Sequence, residues 1–99
     1  MLNKEIILNF LRENLHDLKA NYRIIRIGLI GSFARDEQGE KSDIDLLVEF
    51  EPGTENIFDV KAKFKHFLKS KFGRDVDICR EKYLKPFIKD YILKEAIYV

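Results

Sequence analysis

Two aspartates, Asp43 and Asp45, open the apolar run "DIDLLVEF" of residues 43–50. Side chains alternate along a strand, so the two carboxylates share one face with their backbones ~7 Å apart. Like charges that close repel and call for compensation. A third carboxylate, Asp77, lies in "RDVDICR", residues 74–80, where Asp75, Asp77 and Cys79 alternate with Val76 and Ile78. Pairing of that run beside residues 43–50 would bring Asp77 near Asp43 and Asp45. Hard divalent cations take oxygen ligands, and Mg²⁺ uses a few carboxylates together with water and substrate phosphates. Two such ions ~4 Å apart form the clamp used in phosphoryl and nucleotidyl transfer.

The second feature is Gly31-Ser32, which closes the β-branched run "YRIIRIGLI" of residues 22–30. A strand that ends in Gly-Ser before a helical turn presents backbone N–H groups to an anion. Glycine lets a phosphate approach the backbone closely, and the Ser32 hydroxyl adds a donor. Taken singly, an Asp-x-Asp is usually a solvated pair at a strand start, and a Gly-Ser is usually a turn. Together they describe a phosphate cradle beside a metal nest, which suits a nucleoside triphosphate bound through Mg²⁺. Other motifs fail. "GEKS" at Gly39–Ser42 has Glu40 between glycine and lysine, unlike a P-loop. "DIDLL" has Leu47 at its fifth position, unlike a calcium loop. His16 and His66 lie on separate helices with no ligand spacing.

The elements that must position these residues follow from periodicity. Ile7, Leu11, Leu15 and Leu18 predict an amphipathic helix over Lys4–Ala20, with Asn3 as its N-cap. Residues 22–30 predict a strand, "ARDEQGEKS" a loop after a short helical turn at Ser32, and residues 43–50 a strand stopped by Pro52-Gly53. Ile44, Leu46, Val48 and Phe50 form the face that meets the helices, which leaves the aspartates on the less covered side. Ile57, Val60, Phe64, Phe67 and Leu68 predict a helix over Asn56–Phe72 with Gly73 as its C-cap. Residues 74–80 predict a third strand. Leu84, Phe87, Ile88, Tyr91 and Ile92 predict a helix over Tyr83–Ala96, with Pro86 in its first turn. The order α-β-β-α-β-α implies an α+β two-layer sandwich, a mixed sheet with helices packed on one face.

The bulk numbers agree with one domain, residues 1–99. The chain has 99 residues, 45% apolar, and a net charge of +1. That size and composition support a core without disulfide staples, and the charge gives no case for nucleic acid or a membrane surface. The single cysteine, Cys79, fits a reducing cytoplasm. Charges interrupt the N-terminal apolar residues, so neither a signal peptide nor a spanning helix is expected there. The lysines of residues 61–71 read as a solvated helix face. Ile97, Tyr98 and Val99 read as core packing, with a last strand or an interface patch as alternatives.

Gly31-Ser32, ten residues, then Asp43-Ile44-Asp45 resembles the G-S-x10-D-x-D signature of the DNA polymerase β-like nucleotidyltransferase superfamily. "GSFAR" with "SDIDLLV" closely resembles its minimal nucleotidyltransferase (MNT) domains, and "RDVDIC" resembles their third-aspartate strand. The likeness covers about residues Ile24–Cys79 and fixes residue type, spacing and strand context together. It implies that Asp43, Asp45 and Asp77 bind Mg²⁺, with two ions expected, and that Asp77 helps deprotonate the attacking hydroxyl. It implies that Gly31 and Ser32 hold the β- and γ-phosphates of ATP. Arg35 matches an arginine near the phosphates, with a structural salt bridge as the other role. Asp36 departs from the glycine usual after that arginine, which bears on loop shape and triphosphate binding. The resemblance also implies a partner, a HEPN-domain ribonuclease toxin. The MNT chain would be its antitoxin, in a homo- or hetero-oligomer, transferring AMP from ATP to a toxin tyrosine. The alternatives are a catalytically weak nucleotide-binding module that neutralises its partner by contact, and a nucleotidyltransferase acting on RNA ends.

Overall fold

The structure, a computed structural model, describes all residues 1–99. Asn3 opens the first helix: its Oδ1 accepts the Ile6 N–H at 2.9 Å, the N-cap bond expected. Helix α1 spans Lys4–Glu13 and α2 spans Leu15–Tyr22, so the single helix expected over Lys4–Ala20 is two. The break falls at Asn14, whose side-chain amide donates to the Phe10 carbonyl at 2.9 Å. An Asn that bonds back to the preceding turn competes with the helical ladder. Arg23 then leaves α2 in the left-handed region, φ 57°, and strand β1 runs Ile24–Ile30, two residues later than expected.

A short helix, α3 (Gly31–Ala34), follows β1 directly, and strand β2 runs Ile44–Phe50. Helix α4 (Ile57–Phe72) connects β2 to strand β3 (Val76–Arg80), the crossover that a parallel pair requires. Gly73 caps α4 at φ 69°, where a left-handed residue ends a helix. Helix α5 is Pro86–Glu95 and strand β4 is Ile97–Tyr98. The expected start of α5 at Tyr83 is wrong for a steric reason. A residue before proline is pushed out of the helical region, and Lys85 sits at φ −68°, ψ 140°. Residues 81–83 make a 3₁₀ turn instead.

The sheet order is β3-β2-β1-β4. β1 is antiparallel to both β2 and β4, and β2 is parallel to β3. One face carries Ile27, Leu29, Ile44, Leu46, Val48, Phe50, Val76 and Ile78 into a core with Ile7, Leu11, Leu18, Phe64 and Leu68. Burial of side chains this size stabilises by roughly 1.5–3 kcal/mol each. The other face carries Asp45, and it is not bare, because Leu47 is also buried. Ile97 and Val99 pack against the core. The apolar stripe of α5 does not: α5 contributes no buried residue, and Phe87 and Tyr91 are 80% and 63% exposed.

Candidate active site

The ladders of β2 set the site. Asp45 pairs with Asp77 of β3 on one side and with Ile30 of β1 on the other. Gly31, the residue after Ile30, therefore lies beside the Asp45 carboxylate. Its φ is 77°, and a Cβ there would stand 3.0 Å from the Asp45 Cβ and Cγ. Glycine at this position thus serves two needs at once, a left-handed backbone and close approach of Asp45. Asp43 is the residue just before β2, whose first residue is tied to the β3 side: the Ile44 N–H donates to the Asp75 carbonyl at 2.9 Å. Arg74 ties the preceding loop by donating to the Ser42 carbonyl at 2.8 Å. Its guanidinium also lies over the Phe33 ring, 5.6 Å from the ring centroid, within the ~6 Å reach of such stacking. Phe33 itself is fully buried and anchors the turn that carries Gly31 and Ser32.

Electrostatics mark Asp45 as the strained member. Burial, then the charges of Asp77, Asp43 and Glu95, push its carboxyl above the ordinary aspartate range, against the single lowering influence of Arg35. The Cys79 thiol is likewise pushed up by burial and then by Asp45 and Asp77, which keeps it protonated and unreactive.

The register brings Asp43, Asp45 and Asp77 to one end of the sheet. Their side chains are not closed into a shell: no group of three His, Cys, Asp or Glu is gathered to hold a metal ion. The donors nevertheless fit a hard divalent cation. They are all oxygen, and the uncompensated charge around Asp45 is what such an ion neutralises. The strand register already sets the Asp45 and Asp77 backbones side by side.

Gly31 and Arg35 have a partner that the spacing did not foretell. The Gly31 N–H donates to Glu95 Oε2 at 2.9 Å, and Arg35 Nη1 donates to Glu95 Oε1 at 2.7 Å. Arg35 Nε also donates to Glu37 at 3.0 Å, so Arg35 is salt-bridged to two carboxylates. Asp36 is in the left-handed region, φ 57°, which accounts for a glycine being usual there. Aspartate tolerates that region better than most residues, and its charge is met by Lys4 at 2.9 Å. His16 and His66 are exposed. Sequence reasoning missed Phe33, Arg74 and Glu95. Only Phe33 had a signal, a large apolar residue immediately after Gly-Ser.

Comparison with known proteins agrees with this geometry. Residues 10–99 match the family described as Nucleotidyltransferase domain. The protein adenylyltransferase MntA of Thermococcus cleftensis is 32% identical over 101 residues, covering 100% of this chain and 98% of that protein. A solved structure named "putative minimal nucleotidyltransferase" is 38% identical, with a TM-score of 0.78 over 97% of this chain and 95% of that one. The fold also matches a structure of a tri-AMPylated Shewanella oneidensis HEPN toxin in complex with MNT antitoxin, at 17% identity and a TM-score of 0.60, over 91% of this chain and 69% of that one. No helix is long and apolar enough to cross a membrane. From the signature, the sheet and these likenesses, the chain belongs to the nucleotidyltransferase domain family.

Proposed function

We propose that this chain transfers AMP from ATP to a tyrosine of a HEPN-domain toxin, in the cytoplasm, and is the antitoxin of that pair. The observation that carries the reading is the register setting Asp45 opposite Asp77 with Gly31 against Asp45. Gly31 and Ser32 bind the β- and γ-phosphates. Asp77, on the exposed edge strand, faces the incoming hydroxyl and accepts its proton. The tyrosine oxygen bonds to the α-phosphorus, the bond from that phosphorus to the bridging oxygen breaks, and pyrophosphate leaves. Mg²⁺, held by Asp43, Asp45 and Asp77, would lower the charge cost at the attacking and leaving oxygens. Support for the acceptor comes from the AMP-modified HEPN toxin found with an MNT chain of the same fold, and from the adenylyltransferase name of the Thermococcus relative.

Co-expression with the HEPN partner tests the reading. The wild type should restore growth, and Asp45→Asn should fail to do so while still co-purifying with the toxin. Restored growth with Asp45→Asn would make the chain an antitoxin that works by contact.

A further inference from the structure

The Gly31 N–H expected to receive a phosphate oxygen is already bonded to Glu95, the last residue of α5. The same carboxylate bridges to Arg35. A backbone N–H and a guanidinium are both donors that hold phosphate oxygens. Glu95 engages both, with its side chain only 12% exposed. It is thus a well-placed anion from the chain's own far end, 64 residues from Gly31.

We propose that Glu95 sets the triphosphate affinity of this site, by holding the Gly31 N–H and Arg35 that a nucleotide phosphate must take over. The inference rests on the nucleotide reading above. An N–H carries one hydrogen, so carboxylate and phosphate compete for it. The competition is also electrostatic: Glu95 adds a negative charge beside Asp45, and an entering triphosphate adds more. Apparent affinity falls by the fraction of molecules in which Glu95 holds its donors. Displacement leaves the core closed, because α5 buries none of its residues. What anchors its C-terminal end is Glu95, the short pairing of β4 with β1 and the packing of Ile97 and Val99 against the core. Nucleotide entry therefore also loosens α5, which carries the exposed Phe87 and Tyr91.

Isothermal titration of the full chain with Mg²⁺ and a non-hydrolysable ATP analogue tests this, with inorganic tripolyphosphate as a second probe. Glu95→Gln and Glu95→Ala are compared with the wild type, and melting curves report that each is folded. Glu95→Gln keeps an acceptor oxygen and the side-chain volume, so it remains informative should Glu95→Ala unfold. Both variants should bind both probes more tightly, on the order of tenfold, the loss of one charge-assisted competitor. A strut that merely holds Arg35 in place would move the other way. Unchanged or weaker binding by Glu95→Gln, with the wild type binding normally, overturns this inference alone. Absence of binding by the wild type and both variants overturns the nucleotide reading and this inference with it.

Discussion

Asp45 and Asp77 stand in register across β2 and β3, the parallel pair of the sheet. Two carboxylates are thereby fixed side by side by backbone hydrogen bonds rather than by their own preference. The Asp45 carboxyl is pushed up by burial and by Asp77, Asp43 and Glu95, so the folded chain carries an electrostatic cost at this end. Such a cost persists where a site serves a bound ligand.

That cost gives a pH signature. A carboxyl whose folded pKa lies above its unfolded value binds more protons when folded, so its contribution to stability is full below the unfolded pKa and is lost as pH rises. In metal-free buffer at pH 7, Asp45→Asn should melt above the wild type. The difference should shrink as pH falls to about 4, the unfolded aspartate value. Added Mg²⁺ should raise the wild-type melting temperature and leave that of Asp45→Asn nearly unchanged. An equal response of both to Mg²⁺ would remove Asp45 from the metal set.

Gly31→Ala should be costly despite its size. The left-handed backbone and the overlap with Asp45 together predict a loss of roughly 2–4 kcal/mol, read by urea unfolding. A loss below about 0.5 kcal/mol, the ordinary surface value, would mean that Asp45 does not need this contact.

Asp36 should prove replaceable. Asp36→Gly relieves the left-handed conformation and gives up an exposed pair with Lys4, so stability should stay within about 1 kcal/mol of the wild type. Asp36→Val should lose about 1–2 kcal/mol by backbone strain. Transfer activity of Asp36→Gly should match the wild type, because Lys4 already meets the charge. A tenfold gain would show that the carboxylate reaches the triphosphate.

Arg74→Met separates positioning from packing. The variant keeps an apolar stem over Phe33 and loses the bond to the Ser42 carbonyl, at a cost of about 1 kcal/mol. The turnover number should fall further than stability does, since the loop before Asp43 loses its tie. Phe33→Ala, by contrast, should cost ~3–5 kcal/mol and lower both together. Parallel losses in the two variants would leave Arg74 a packing residue.

The strand-borne part of the site was legible in the sequence because alternation and a two-residue spacing place Asp43 and Asp45 on one face, and because "RDVDICR" repeats that pattern. Gly73 and Asn3 were legible as caps for the same local reason. Asn14 was not, since its helix-breaking bond depends on a rotamer that spacing does not encode. Pro86 is visible, but the apolar period of Leu84, Phe87 and Ile88 runs through it and masks its effect on Lys85. Glu95 could not be found from pattern. Its role arises only when α5 brings its end to Gly31, and a glutamate on a helix has no mark of that.

The most direct measurement is intact-mass spectrometry of this chain and its HEPN partner after incubation with ATP and Mg²⁺, with Asp43→Ala/Asp45→Ala as control. One or more AMP units should appear on the partner with the wild type and none with the control. An unmodified partner that is nonetheless silenced in a stable complex would contradict the transfer reaction and leave the three aspartates without a catalytic role.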